Sequence, residues 1–200
     1  MRHTARNIVD ELTGGESIDL VGHSYGGSIA LEFAARSPEK VCSLTLIEPI
    51  YLAVAGADNR PILDDYLAQM QPHFEALAAG RNEEAAQIFI DVWGGDTRWE
   101  DLPTPAQAGL SQQIPVVDAF KPGDETGREE QETLALLDNI SMPVTVINGE
   151  KTMPVLKHVV EGLKTRLPHA QVVEVESASH MVPLTHSKEV AKHLQATWAR

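Results

Sequence analysis

A serine held between two glycines, Gly22-His23-Ser24-Tyr25-Gly26, joins a run that reads as a strand to a run that reads as a helix. Ile18-Asp19-Leu20-Val21 is short, apolar and β-branched, and Gly14-Gly15-Glu16-Ser17 bounds it upstream. Ser28-Ile29-Ala30-Leu31-Glu32-Phe33-Ala34-Ala35-Arg36 carries apolar residues at helical spacing. A strand that turns sharply into a helix on a serine is a nucleophile elbow. Its backbone is strained, so small neighbours are required, and Gly22 and Gly26 are expected to supply them. The turn lifts the Ser24 hydroxyl clear of a sheet and aims the Tyr25 N–H, at the helix start, toward a developing oxyanion.

The remaining strand candidates are Val41 to Ile47, Met142 to Asn148 and Ala170 to Glu176. Helix candidates follow three of the four strands: Ser28 to Arg36, Pro154 to Leu167 and His186 to Trp198. Between Ile50 and Asn139 helical patterns alone are expected: Pro61 to Ala79, Glu83 to Trp93, Pro103 to Phe120 with a break at Pro115, and Glu129 to Leu137. Another helix end is read at Asn7 to Leu12. Strands alternating with helices imply an α/β fold, a mostly parallel sheet with helices on both faces. The helical insertion follows a strand's C-terminal end, where such sheets place their sites.

Two hundred residues suit one folded unit with a substantial core. A formal charge of −13 argues against nucleic acid and anionic membrane surfaces as partners. No apolar stretch is long enough to span a bilayer, and no apolar leader is read at the N-terminus, so a cytoplasmic protein is expected. The single cysteine, Cys42, excludes an internal disulfide, and its apolar surroundings predict a buried thiol. No Cys/His cluster has zinc spacing and no glycine-rich loop has a phosphate-binding pattern, so no metal or organic cofactor is implied. A small-molecule substrate is expected, and the oligomeric state is not legible.

A serine hydroxyl needs a neighbouring base to act as a nucleophile. His180, in Ser179-His180-Met181, follows the last strand and emerges at the same sheet edge as Ser24. His23 should point away from the Ser24 hydroxyl. His3, His73, His158, His169 and His193 are expected at the surface, and His186 at the start of the last helix.

Four motifs together resemble the α/β-hydrolase superfamily: Gly22-His23-Ser24-Tyr25-Gly26-Gly27, Leu46-Ile47-Glu48-Pro49, Val146-Ile147-Asn148-Gly149-Glu150 and Ser179-His180-Met181. They stand in the superfamily's order and cover nearly the whole chain. The resemblance implies acyl transfer through Ser24, with His180 as base and the Tyr25 N–H in the oxyanion hole. It implies a core of residues 1–49 and 140–200 and a helical cap of residues 50–139. Trp93, Trp99, Phe74, Phe89, Phe120, Met70 and Tyr66 are the cap's candidate apolar lining.

Two departures follow. Superfamily members usually carry the triad acid a few residues after the glycine that closes the penultimate strand; here that place is Thr152. Other members place the acid directly after the strand that follows the nucleophile helix, and here that residue is Glu48, with Glu150 the second candidate. Members also carry several strands before the elbow, including a loop that gives a second oxyanion-hole donor. The chain is expected to correspond to the C-terminal two-thirds of a member, as a fragment, a mis-started gene product or a natural truncation, with an uncovered sheet edge. The expected activity is serine-type cleavage of a small ester or related acyl compound. A catalytically weak module that binds a ligand or partner is the alternative. Transfer to another acceptor and carbon–carbon hydrolysis use the same residues.

Overall fold

A computed structural model describes residues 7–9, 11, 13, 14, 16–118 and 125–199. Four strands form one sheet in the order β1 (Ile18–His23), β2 (Val41–Ile47), β3 (Val144–Gly149) and β4 (Gln171–Val175). Every neighbouring pair is parallel. The fold is α/β, as the alternation of strand and helix patterns requires. β3 is buried along its whole length, whereas β1 and β4 are edge strands that expose Asp19, Val21, Gln171, Val172 and Glu174.

Register places the functional ends of the strands in one row. His23 pairs with Ile47, Ile47 with Ile147, and Gly149 with Val175. The residues that follow these ends, Ser24 and Glu48 among them, therefore leave the sheet along the same edge.

Alternation along each strand divides the core between two faces. Leu44 and Leu46 of β2 and Val144 and Val146 of β3 pack with helices α1 (Tyr25–Arg36), α2 (Leu52–Asp58) and α8 (Pro154–Arg166). Ile47 and Ile147 face the other way, toward Val182 of the short helix α9 (Val182–Thr185) and Val190 of α10 (Ser187–Trp198). Thr145 shares that second face, and its buried hydroxyl bonds the Thr197 hydroxyl of α10 at 2.8 Å. Helices thus cover both faces of the sheet.

Between β2 and β3 the described elements are helical: α2, α3 (Arg60–Ala78), α4 (Asn82–Trp93), α5 (Thr104–Gln113), α6 (Pro115–Asp118) and α7 (Glu125–Leu134). The sequence pattern places helices at α3 to α7 but not at α2, whose supports come from far along the chain. Its Ala53 N–H donates to the buried Glu130 carboxylate at 3.1 Å, a cap supplied by another helix. Its Asp58 forms a two-pronged ion pair with Arg166 of α8, at 2.6 and 2.7 Å. A Cβ at Gly162 would lie 2.2 Å from Val54, so glycine there is what lets α8 and α2 touch. Small residues serve α3 and α4 in the same way: Ala76, Ala85 and Ala86 pack with Trp99 and Ile114 in a separate cluster.

Two expectations about side chains require correction. Cys42 is exposed. Ile18 pairs with Val41 and Asp19 with Ser43, so Cys42 is the extra residue of a β-bulge at the start of β2. A bulge breaks the alternation that would have turned the thiol inward. His73 is buried, not superficial, because it lies on the face of α3 that meets α4, where its Nδ1 and the Ala85 carbonyl are 2.8 Å apart. His169 is exposed, and His158 and His193 are partly buried; His3 lies outside the described residues.

Among the described residues, no helix is long and apolar enough to cross a membrane. No group of three or more His, Cys, Asp or Glu among them could hold a metal ion.

Candidate active site

The elbow is built by a close backbone crossing. A Cβ on Gly22 would stand 2.3 Å from the Gly26 carbonyl oxygen, and one on Gly27 would stand 3.0 Å from the Pro49 side chain. A Cβ on Gly26 would meet nothing within 4 Å. The steric requirement therefore falls on Gly22 and Gly27, where the sequence pattern assigns it to Gly22 and Gly26. Ser24 takes φ 57° and ψ −127° at the junction of β1 and α1. Its N–H donates to the Ile47 carbonyl at 2.9 Å, and its carbonyl accepts from Gly27 at 3.0 Å and Ile50 at 3.2 Å. These bonds hold a conformation that L-residues otherwise avoid.

Ser24 Oγ lies 2.9 Å from His180 Nε2, and His180 Nδ1 lies 3.3 Å from Glu48 Oε2. The expected Ser24, His180 and Glu48 are thus in one hydrogen-bonded line. His180 is nearly buried and Glu48 is wholly so. Among the described residues, the non-glycine positions with positive φ are Ser24, Glu48 (47°) and Ser177 (59°). Strain of this kind costs about 1–3 kcal/mol per residue and concentrates at functional sites; here it falls on the serine, the carboxylate and the loop before His180.

The Glu48 carboxylate is fully engaged. Oε1 accepts the Gly149 N–H at 2.6 Å. Oε2 accepts the Thr152 hydroxyl as well as facing His180. Glu150 points elsewhere, its carboxylate accepting the Ser177 N–H at 2.7 Å. Tyr25 opens α1, so its N–H lies at the positive end of that helix, next to Ser24 in the chain.

Two neighbours of His180 come into view only in three dimensions. His23 places Nε2 2.9 Å from the His180 carbonyl, and the two rings lie 5.0 Å apart. His23 thus bonds the loop that carries His180 instead of addressing the Ser24 hydroxyl. Burial, above all, holds the His23 pKa below its ordinary value of 6.5, which makes it a neutral imidazole donating from Nε2. Trp93, the last residue of α4, sets its indole 4.7 Å from the His180 ring, and Tyr66 and Phe89 pack on its other sides at 5.8 and 6.2 Å. The turn after it reaches the same loop, since a Cβ on Gly95 would lie 2.2 Å from Ser179 Oγ. Of the other aromatic or Met candidates, Phe74 packs on His73, Met70 in the main core and Trp99 in the α3–α4 cluster. Phe120 lies outside the described residues. His186 stands at the N-cap position of α10.

Residues 2–193 match the family described as "Alpha/beta hydrolase family". The chain belongs to the alpha/beta hydrolase family. Among curated relatives, a pimeloyl-[acyl-carrier protein] methyl ester esterase of Neisseria meningitidis serogroup B is 30% identical over 179 residues, covering 86% of this chain and 66% of the relative. Lipase LipV of Mycobacterium tuberculosis is 35% identical over 79 residues, 40% of this chain and 29% of the lipase. The chain spans two thirds or less of the length of these relatives. Among solved structures, the alpha/beta hydrolase MGS-M2 from a Medee basin deep-sea metagenome library superposes with a TM-score of 0.70 at 20% identity, covering 100% of this chain and 70% of that one. A bacterial membrane phospholipase A superposes at 0.67 with 23% identity, covering 99% and 63%. These two solved structures share the fold described above.

Proposed function

We propose that this alpha/beta hydrolase chain carries a serine-type acyl-transfer site that cleaves a small ester or related acyl compound. The observation that carries the reading is the line from Ser24 Oγ through the His180 imidazole to the buried Glu48 carboxylate, at 2.9 and 3.3 Å. Esterase and lipase relatives support the choice of ester bonds.

Ser24 Oγ attacks the acyl carbonyl carbon while His180 Nε2 takes its proton. Glu48 holds the Nδ1–H tautomer of His180 and stabilises the imidazolium. The Tyr25 N–H, at the positive end of α1, faces the charge that develops on the carbonyl oxygen. Collapse of the tetrahedral species breaks the bond to the leaving alkoxide, which takes the proton from His180. Water then attacks the acyl-enzyme, giving up a proton to His180, and collapse of the second tetrahedral species releases the acid as His180 returns that proton to Ser24 Oγ.

The helices of residues 50–139 act as a cap over a core of residues 1–49 and 140–200. Contacts of Trp93 with His180 and of Gly95 with Ser179 support that role. The aromatic side of the cap at Trp93 favours an uncharged acyl group of modest size over a charged peptide. Labelling with a fluorophosphonate probe tests the site. Wild-type protein should label at Ser24, and Ser24→Ala should neither label nor hydrolyse p-nitrophenyl esters. Folded wild-type protein that does not label refutes the reading.

A further inference from the structure

We infer that Thr152 is a positioning residue for the Glu48–His180 pair, fixing with its hydroxyl the carboxylate oxygen that His180 Nδ1 faces. The inference rests on the reading of Ser24, His180 and Glu48 given under Proposed function. Thr152 is buried, and an ionised carboxylate only accepts hydrogen bonds, so the Thr152 hydroxyl is the donor to Oε2.

The geometry explains why a second donor is needed. Glu48 stands just beyond the end of β2, and a glutamate carboxylate can turn about its last torsion with little resistance. The Gly149 N–H pins Oε1 alone. With the Thr152 hydroxyl on Oε2, both oxygens are held, and the plane of the carboxylate is set relative to the imidazole.

The segment that carries Thr152 is also tied to the segment that carries His180. Lys151 N–H donates to the Ala178 carbonyl at 2.8 Å, and Glu150 N–H to the Val175 carbonyl at 2.9 Å. The Glu150 carboxylate closes the seam by accepting from Ser177. Thr152 N–H bonds the Gly149 carbonyl at 3.1 Å, completing a tight turn. Acid and base are thereby referred to one frame, although Glu48 comes from a distant strand. The threonine that stands where relatives of this fold would put an acid does work for the acid placed elsewhere.

The test is steady-state hydrolysis of p-nitrophenyl butyrate by the full chain, with active sites counted by fluorophosphonate titration. Thr152→Val should lower kcat per titrated site roughly ten- to a hundredfold, the range of a lost hydrogen bond to a charged group. KM should stay within about twofold, because Thr152 is buried with its hydroxyl engaged by Glu48. Thr152→Ser should return kcat to within about threefold of wild type, because it keeps the donor. If Thr152→Val fails to fold, Thr152→Ala is compared with Thr152→Ser in its place. A kcat per titrated site within about twofold of wild type in the variants lacking the hydroxyl overturns the inference. With wild type labelled and Ser24→Ala inactive, that result sinks this inference alone. If wild type neither labels nor turns over the ester, the underlying site reading fails and this inference fails with it.

Discussion

The Trp93 indole and the His180 imidazole lie 4.7 Å apart, centre to centre, with their planes inclined at 58°. Trp93 ends α4, in the helical insertion between β2 and β3, so this contact couples the insertion to the sheet edge. The indole is buried, with Tyr66 and Phe89 around it. Burial raises the Tyr66 phenol well above its ordinary range, so it packs on Trp93 as a neutral group. Trp93→Ala should cost about 3–5 kcal/mol of stability, the usual range for deleting a large buried aromatic. It should also raise KM for p-nitrophenyl esters, whereas Trp93→Phe keeps most of both. Urea titration and steady-state kinetics measure the two effects. Full stability in Trp93→Ala contradicts this packing.

The two carboxylates near the site should differ sharply in effect. Glu48→Gln keeps the shape of the side chain but removes the charge that accepts from Thr152 and faces His180. Turnover should fall by about three to four orders of magnitude, the scale seen when a triad acid becomes an amide, with the circular dichroism spectrum unchanged. Glu150→Gln alters an exposed side chain whose described partner is the Ser177 N–H. Its turnover should stay within about threefold of wild type, as expected of a change outside the reacting line. Equal losses in the two variants would count against Glu48 as the acid.

Glycines 22 and 26 look equivalent in Gly-x-Ser-x-Gly but are not equivalent in space. Gly22→Ala drives a methyl group against the Gly26 carbonyl, at 2.3 Å, where only backbone can yield. It should destabilise by about 3 kcal/mol or more and abolish fluorophosphonate labelling. Gly26→Ala meets open space and lies in helix α1. Its stability should be within about 1 kcal/mol of wild type, since alanine is the better helix former. Thermal melts with labelling gels separate the two outcomes.

The fold and most of the site are local in origin, and this is why they can be read from the chain. The apolar runs of β1 to β4, the glycines around Ser24 and the place of His180 after β4 are patterns within a few residues. Helix α2 is not such a pattern: Leu52-Ala53-Val54-Ala55-Gly56-Ala57-Asp58 is held by Glu130, Arg166 and the notch at Gly162. The exposure of Cys42 depends on a one-residue slip between β1 and β2, which neither strand displays alone. His73 is buried by the partner that α3 meets. Glu48 differs again, because it and Thr152 lie 104 residues apart and only the parallel register of β2 and β3 brings them together.

His23 gives the fold a predictable acid sensitivity. Burial depresses its pKa below 6.5, with the hydrogen bond to the His180 carbonyl opposing the shift and the charges of His180 and Glu48 acting in opposite directions. An unfolded chain binds a proton on this histidine near pH 6.5, while the folded chain resists it until lower pH. Over that interval the unfolded state holds more protons, so stability falls as the pH drops below 6.5 and levels off below the folded value. His23→Gln removes the titration but can still offer an N–H to the His180 carbonyl. The wild type should therefore lose more stability than His23→Gln between pH 7.5 and 5.5. Urea midpoints for both proteins at the two pH values decide it; parallel losses would mean that His23 protonates as readily in the folded chain as in the unfolded one.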